Sequence, residues 1–171
     1  MKKRLIIMLL SVIISKAYAQ NQPTKSTSQN EDPVGIWTLV AVENFNPDGS
    51  KTLPYGNSPQ GLLILDKNGV YAIQILKAIR PKVVAGDKNK ATPEENVAMV
   101  QGNNSHFGSY TTDLLKETIT FNVEHAFYPN WEGTVQERFY TLKNDELKYI
   151  VTNTTNGGAI TASVTWKRKV N

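Results

Sequence analysis

Short runs of residues that favour β-strands, separated at close intervals by turn signals, constrain this chain more than any other feature of its sequence. The runs are rich in Val, Ile, Thr, Phe and Tyr, and the segments between them include NPDGS, DKNG and KNDE. Runs of this length and spacing indicate β-strands joined mostly by tight hairpins. They predict eight strands, at roughly residues 36–45, 60–66, 69–79, 106–112, 117–127, 134–142, 146–152 and 159–169.

Eight consecutive antiparallel strands predict an all-β domain built as an up-and-down β-barrel, because closing the sheet on itself removes its exposed edges. The interior of an eight-stranded barrel is wide enough to be filled by side chains or to hold one small ligand. A sandwich of two sheets with the same number of strands is the alternative architecture.

One interval between the predicted strands has the pattern of a helix rather than a hairpin. Residues 91–105 read ATPEENVAMVQGNNS, with Thr92 in the position of an N-cap and Pro93 at the first helical position. Glu95 is spaced to complete a capping box with Thr92, and Gly102 is a stop signal. The sequence therefore predicts one short helix between strands 3 and 4. Its face toward the barrel is predicted to consist of Val97, Met99 and Val100.

The N-terminus has the three parts of a secretory signal peptide. Basic residues at positions 2–4 precede the apolar run LIIMLLSVII, and an A-x-A cleavage signal ends at Ala19. An uncleaved membrane anchor is the alternative, but it would need about 20 apolar residues, twice the length of this run. We expect residues 1–19 to be removed, residues 20–32 to form a flexible polar leader, and residues 33–171 to fold as one domain. The mature protein would then be secreted or periplasmic.

The charge of the chain changes when the signal peptide is removed. Four of the 19 basic residues lie within residues 1–19, which leaves 15 basic residues against 15 acidic ones. A balanced chain without a basic cluster lacks the electrostatic footprint of a protein that binds nucleic acid or anionic membranes. The chain also has no cysteine, which excludes disulfide bonds and a lipid anchor on an N-terminal cysteine. The core alone must therefore stabilise the fold.

Gly35 and Trp37 begin the first predicted strand and Arg168 ends the last, an arrangement that resembles the closed end of a lipocalin barrel. In lipocalins a G-x-W sequence packs against an arginine from the final strand, and a guanidinium over an indole face is an attractive contact. The resemblance implies that Gly35, Trp37 and Arg168 close this barrel.

Three further motifs lie in the middle of the chain: PYGNSPQG at 54–61, TPEE at 92–95 and YPNWEGTVQERF at 128–139. Together with the G-x-W start they resemble the lipocalin-like domain family of bacteria and fungi over nearly the whole predicted domain. The resemblance implies a lipocalin-like, calycin-type barrel for residues 33–171. Most members of that family are uncharacterised, so the ligand stays open. Histidines that the family often carries near the positions of Phe121 and Asn122 are not found here, and no catalytic role passes from them to His125.

The stretch VEHAFYPNWEG, residues 123–133, contains the histidine most suited to contact a ligand. Alternation along the fifth predicted strand puts His125 and Phe127 on the same face as the apolar residues of the strand, which we expect to line the lumen. Glu124 faces the opposite way, so a catalytic dyad of Glu124 and His125 is not expected. The residues after Phe127 should form the turn, with Trp131 folded over the barrel mouth or against its rim.

Other candidates come from the neighbouring strands. Tyr71 and Gln74 lie on opposite faces of the third predicted strand, and because both faces are largely apolar, periodicity leaves open which one lines the lumen. Gln74 and Tyr110 are polar groups that could hold the polar end of a ligand. Arg138 is expected to pair instead with Glu124 on the facing strand. The predicted ligand-binding residues are His125, Phe127, Tyr71, Gln74, Tyr110 and Trp131.

Signatures of catalysis and of cofactor binding are missing from the sequence. It has no G-x-S-x-G, no Walker loop and no dinucleotide fingerprint, and only His106 and His125 as nitrogen ligands for a metal. We therefore expect no catalytic residues, no cofactor, no metal and no nucleic-acid partner. The predicted function is the binding of one small apolar or amphipathic molecule inside an exported barrel. A barrel enzyme of the isomerase or cyclase type and a structural barrel with a filled core are the alternatives.

Overall fold

The computed structural model describes residues 32–152, 154 and 161–170. The predicted signal peptide, residues 1–19, and all but the last residue of the predicted leader, residues 20–32, lie outside this part of the chain. Within it, no helix combines the length and the apolar character needed to span a bilayer.

Antiparallel strands form one sheet that closes on itself. The strands are β1 (Gly35–Phe45), β2 (Lys51–Thr52), β3 (Gln60–Leu65), β4 (Val70–Leu76), β5 (Asn103–Asp113), β6 (Thr118–Ala126), β7 (Val135–Lys143), β8 (Glu146–Thr152) and β9 (Thr161–Arg168). The eight longer strands follow one another around the barrel in chain order, and pairing of β1 with β9 closes it. The two-residue β2 pairs with the end of β1. The predicted eight-stranded antiparallel barrel is confirmed, and the two-sheet sandwich is wrong.

The predicted helix is present, and its N-terminal signals act as expected. At the start of α1 (Pro93–Gln101), the Thr92 hydroxyl accepts a hydrogen bond from the Glu95 amide, and the Glu95 carboxylate accepts one from the Thr92 amide. The predicted position between strands 3 and 4 is wrong, because α1 lies between β4 and β5. The difference comes from β2, a pair of residues too short to leave a pattern in the sequence.

The inward face predicted for α1 is wrong as well. Val97 and Val100 are 52% and 57% exposed, and no residue of the helix is buried. Pairing between β4 and β5 continues up to Leu76 and Asn103, the residues closest to the helix on either side. The helix lies beyond the paired part of β4 and β5, and none of its side chains belongs to the core.

One end of the barrel is closed by Trp37 and Arg168. The guanidinium carbon of Arg168 lies 4.1 Å from the centroid of the Trp37 ring, and Arg168 Nη1 donates a hydrogen bond of 2.6 Å to the Val34 carbonyl. Gly35 permits this contact, because a Cβ at that position would lie 2.6 Å from Arg168 Nη1. The arrangement of Gly35, Trp37 and Arg168 expected from the lipocalin resemblance is therefore observed.

The half of the barrel next to this end has a solid apolar core. Its side chains come from alternate positions of the surrounding strands, as expected where one face of a sheet is buried. Burial of apolar surface stabilises a fold by about 25 cal/mol per Å², so this core stabilises a chain without disulfides. The most deeply buried side chains are Trp37, Leu63, Leu65, Ile119, Leu147 and Trp166.

A β-bulge interrupts the pairing of β5 with β6 in the other half of the barrel. Phe107 faces His125 and Gly108 faces Val123, so Glu124 is an extra residue on β6. An extra residue reverses the inward and outward alternation of the side chains that follow it. Val123 is accordingly buried, whereas His125 is exposed.

Candidate functional site

The half of the barrel opposite Trp37 is hollow and contains a cavity of about 520 Å³. Its wall includes the later part of β1 and the first part of β9, the segments of those strands farthest from the closed end. The alternative of a structural barrel with a filled core is therefore wrong for this half of the molecule. Most of the wall is apolar and is formed by Val42, Tyr55, Ile73, Ile75, Phe121, Tyr149, Ala162 and Val164.

Arg138 places a positive charge at the wall of this cavity. It lies on the lumen face of β7, opposite the fully buried Ile119 of β6. Its Nη2 donates a hydrogen bond to the Gln136 side-chain oxygen, and its Nη1 donates one of 3.0 Å to the Glu137 carbonyl. None of the ion pairs among the described residues involves Arg138. Burial lowers the pKa of Arg138, but a guanidinium starts so high that it keeps its charge at neutral pH.

The predicted ion pair of Arg138 with Glu124 is wrong. Glu124 is the extra residue of the bulge and is exposed, whereas Arg138 faces the lumen. The two side chains leave the sheet on different faces, so they cannot meet across the hairpin.

His106 is a second polar group at the cavity wall. Its Nδ1 and the Tyr71 hydroxyl are 2.8 Å apart and share a hydrogen bond. Its ring packs edge-on against Phe121 and Trp131, with centroid separations of 6.2 and 5.5 Å. Burial, and to a smaller extent the charge of Arg138, lowers the pKa of His106 to about 4, so the imidazole is neutral at pH 7. Because Nδ1 is engaged, Nε2 is the nitrogen available to a ligand.

Asn44 adds an unpaired polar atom. The residue lines the cavity, is only 4% exposed, and has no hydrogen-bond partner for Oδ1 among the described residues. A buried carbonyl oxygen left without a partner costs about 1–3 kcal/mol. A ligand that donates a hydrogen bond to Asn44 would remove this cost. The site therefore combines a cation, a neutral imidazole and an unsatisfied amide within apolar walls.

Two of the six predicted ligand-binding residues belong to this site. Trp131 lines the cavity, and Tyr71 is joined to it through the hydrogen bond with His106. Tyr110 is also buried, but its hydroxyl donates a 2.8 Å hydrogen bond to the Asp66 carbonyl. Ligand contact by Tyr71, Tyr110 and Trp131 stays a prediction.

Gln74 lies on the outer face of β4, and its predicted contact with an interior ligand is wrong. Ile73 and Ile75, on either side of it, line the cavity. The side-chain amide of Gln74 instead donates a hydrogen bond to the side-chain oxygen of Asn103. The sequence could not choose between the two faces, because both are largely apolar.

His125 and Phe127 also lie outside the lumen, contrary to the prediction. The His125 side chain is 66% exposed, its Nδ1 is 3.5 Å from Glu132 Oε1, and its ring lies 5.4 Å from that of Phe107. Phe127 is exposed as well. The alternation that put both side chains in the lumen holds only as far as Val123, because the bulge reverses it beyond that residue.

The wall of the cavity is open between β7 and β8. Pairing of these two strands covers only Tyr140–Lys143 and Glu146–Tyr149. Residues 135–139 of β7 pair with β6, and residues 150–152 of β8 pair with β9, but the two segments do not pair with each other. Residues of both segments line the cavity, which therefore extends into the gap between them.

Sequence reasoning missed the polar residues that the cavity brings together, Arg138, His106 and Asn44. A signal for Arg138 was present, because Tyr140 and Leu142 share its face of β7 and are the apolar residues expected to point inward. Asn44 and His106 each lie between one polar residue and one phenylalanine, so the alternation does not show which way they face. In the described part of the chain, no three His, Cys, Asp or Glu side chains are grouped so that they could hold a metal ion.

Comparison with known families agrees with this architecture. A family model described as a lipocalin-like domain matches residues 34–169, which is nearly the whole of the barrel. No curated protein matches the sequence.

Proposed function

The chain belongs to the lipocalin-like domain family, and on that premise we propose that it binds a small amphipathic molecule with an anionic end inside its barrel. A barrel of this family is consistent with the binding of a small ligand. The identity of the ligand class rests on the charge and the walls of the cavity.

The observation that carries the proposal is the position of Arg138. Arg138 is partly buried, and removing a charge from water is costly unless the charge is paired. Among the described residues, Arg138 donates two hydrogen bonds, both to uncharged oxygens, one on the Gln136 side chain and one on the Glu137 backbone. A carboxylate from a ligand would supply the missing counter-charge, and a guanidinium can hold a carboxylate through two hydrogen bonds.

The remaining surface of the cavity suits an apolar body. A volume of about 520 Å³ lies within the range of sites that enclose small molecules, and aliphatic and aromatic side chains form most of its wall. His106, neutral at pH 7, and Asn44 offer further hydrogen bonds near the polar end of the ligand. The ligand that fits is therefore one with a hydrocarbon body and a carboxylate or a similar anionic group.

We further propose that this binding takes place outside the cytoplasm. The support is the basic start, the apolar run and the A-x-A sequence that precede residue 20. N-terminal sequencing of the mature protein should then begin at Gln20, and a chain that retains Met1 would contradict export by this route.

The role of Arg138 is tested by titration with cis-parinaric acid, a fluorescent fatty carboxylate, and with its uncharged methyl ester. We expect Arg138→Gln to weaken binding of the acid by about tenfold to a hundredfold, because a hydrogen bond to a charged group contributes roughly 1.5–3 kcal/mol. Binding of the ester should change little. Fluorescence titration of both ligands gives the two dissociation constants.

Arg80→Gln is the matched control, because Arg80 is exposed and lies outside the cavity wall. It should bind the acid as the wild type does. Equal affinity of the wild type for the acid and the ester, or an equal loss of both in Arg138→Gln, would contradict the assignment of the anionic end to Arg138.

A barrel enzyme of the isomerase or cyclase type is the second candidate, and the hydrogen bond between Tyr71 and His106 is the observation that favours it. Acid–base catalysis is most efficient when the pKa of the catalytic group lies near the working pH. The pKa of about 4 makes His106 a weak base at pH 7, and burial raises the pKa of Tyr71 further above its usual range. Binding is therefore the better supported function. Liquid chromatography coupled to mass spectrometry of a ligand recovered after incubation decides between binding and catalysis. An enzyme of this type would return an isomer with the same mass and a different retention time.

A further inference from the structure

Two strand edges face each other in the barrel wall without pairing. The Tyr140 amide donates to the Glu117 carbonyl, on the side of β6. Alternate residues of a strand present their peptide groups to the same neighbour, so residues 135, 137 and 139 present theirs to β8. On β8, Lys148 pairs with Thr141 of β7, so by the same alternation residues 150 and 152 present their peptide groups to β7. The guanidinium of Arg138 reaches this edge, where it donates to the Glu137 carbonyl.

The outer rim of this gap is apolar. Val135 and Phe139 on β7 are 67% and 62% exposed, and Ile150 on β8 is 36% exposed. All three also border the cavity, together with the inward-facing Gln136 and Arg138. The opening thus has apolar side chains at its rim and the cation of Arg138 inside. These two features match the hydrocarbon and the anionic group of an amphipathic molecule.

Described side chains and a loop also border the cavity at the end of the barrel. Tyr55, in the loop between β2 and β3, is buried against the cavity, and its carbonyl accepts a 2.8 Å hydrogen bond from the Ala78 amide. This bond ties the loop to the segment that follows β4. Trp131 adds a second aromatic side chain at this part of the wall, where it packs on His106. Side chains and a tethered loop therefore lie at this end, whereas in the described part of the chain no backbone pairing joins residues 135–139 of β7 to residues 150–152 of β8.

We propose that the gap between β7 and β8 is a lateral portal for an elongated carboxylate with a single hydrocarbon chain. The carboxylate meets Arg138 just inside the opening, and the chain lies along the apolar wall. Residues 135–139 of β7 run for roughly 16 Å along this opening, and residues 150–152 of β8 form its other described edge, a shape that suits an extended chain better than a compact ring system. This inference rests on the proposed function, because it names the shape of the ligand and its route to the same cavity.

Bridging the gap tests the portal, and the absence of native cysteine makes the experiment specific. Extension of the β7–β8 register would place Glu137 opposite Thr152, and the two residues are exposed on the outer face. The double variant Glu137→Cys/Thr152→Cys is bridged with a short bis-methanethiosulfonate reagent, and mass spectrometry confirms the bridge. We expect bridging to slow both association and dissociation of cis-parinaric acid by about tenfold or more, with little change in the dissociation constant. Reduction of the bridge should restore both rates.

The matched control is Thr141→Cys/Lys148→Cys, an exposed pair of facing residues where β7 and β8 are already joined. Its bridge should leave both rates unchanged. If the unbridged protein prefers the acid to the ester but the Glu137–Thr152 bridge leaves the association and dissociation rates unchanged, the portal is wrong and the proposed function stands. A protein without preference for the acid would overturn the proposed function itself.

Hydrogen exchange tests the gap without any substitution. The amides of Val135, Glu137, Phe139 and Ile150 should exchange fast, because they have no ladder partner, and those of Thr141 and Lys148 should be protected. Added cis-parinaric acid should protect the first group more than the second. Slow exchange of the first group in the free protein would show that β7 and β8 are paired along their whole length and would overturn the portal.

Discussion

At the scale of single residues, the site depends on Arg138 and His106, which line the same cavity but differ in their charge at neutral pH. Arg138 keeps its charge, because no attainable environment lowers the pKa of a guanidinium to neutral pH. His106 loses its charge, because burial and the neighbouring cation both favour the neutral imidazole. The cavity therefore holds one cation and not two, which leaves it suited to a single anionic group.

The lowered pKa of His106 predicts a pH-dependent stability. The unfolded chain has this pKa at 6.5 and the folded chain at about 4, so between these values the unfolded state binds more protons. The free energy of unfolding should therefore fall as the pH drops from 6.5 to 4, by up to about 3 kcal/mol from this group. The difference between wild type and His106→Asn, measured by urea unfolding at pH 7 and at pH 4.5, isolates this contribution. Asparagine carries no ionisable group, so the variant should lose less stability on acidification, and a difference that is independent of pH would contradict the prediction.

At the scale of elements, the bulge on β6 decides which side chains face the cavity. Gly108 on the facing strand makes room for it, since a Cβ there would lie 2.2 Å from the Asn122 carbonyl oxygen and 2.8 Å from the Glu124 nitrogen. Both of those atoms belong to the backbone of β6 and cannot move aside without loss of pairing. The missing side chain of Gly108 therefore lets the backbones of β5 and β6 approach closely at the bulge, and the bulge turns His125 outward.

Gly108→Ala should accordingly destabilise the barrel strongly. We expect it to lower the free energy of unfolding by more than about 3 kcal/mol, because the added methyl group collides with backbone atoms. Gly49→Ala is the control, because Gly49 has a φ of +82° but open space around its Cβ, and it should cost only about 1–2 kcal/mol. Urea unfolding of both variants makes the comparison. Equal costs would mean that β5 and β6 can adjust their separation, and the role assigned to Gly108 would then be wrong.

At the scale of the whole molecule, the barrel divides into a filled half and a hollow half. The filled half holds the arginine over the tryptophan and fully buried apolar side chains such as Trp37, Leu63 and Leu147. The hollow half is not filled by side chains and contains a cavity of about 520 Å³. Apolar side chains that line the cavity belong to the same core cluster as those of the filled half, so the wall of the cavity also contributes to the packed core.

Filling the hollow half should remove binding and leave the fold intact. Ala162 is 5% exposed and lines the cavity, so Ala162→Phe would put a ring into the space proposed for the ligand. We expect its affinity for cis-parinaric acid to fall by about tenfold or more, with a stability change within about 1–3 kcal/mol. Ala72→Phe, on the exposed face of β4, is the matched control and should bind as the wild type does. Unchanged affinity of Ala162→Phe would place the ligand somewhere other than this cavity.

Local patterns were sufficient to predict much of the architecture. Turn residues between runs of β-branched and aromatic residues predicted the eight longer strands, and the capping box at Thr92 and Glu95 predicted the start of the helix. These features depend on residues close together in the chain, whose conformational preferences hold in any context. The two-residue β2 left no such pattern, so the strands that flank the helix were predicted to be the third and fourth, whereas they are β4 and β5.

The candidate site was predicted less well, because its geometry depends on contacts between distant segments. The sequence alone favoured a closed antiparallel barrel, since periodicity, turn chemistry and the need to remove sheet edges all act locally or on every strand alike. Closure by Gly35, Trp37 and Arg168 was implied by the resemblance to lipocalins. Only the tertiary structure decided that Arg138 and His106 face the cavity, that His125 does not, and that β7 and β8 separate. Each of those outcomes depends on the register and the close approach of neighbouring strands, and a shift of one residue reverses the face on which every following side chain lies.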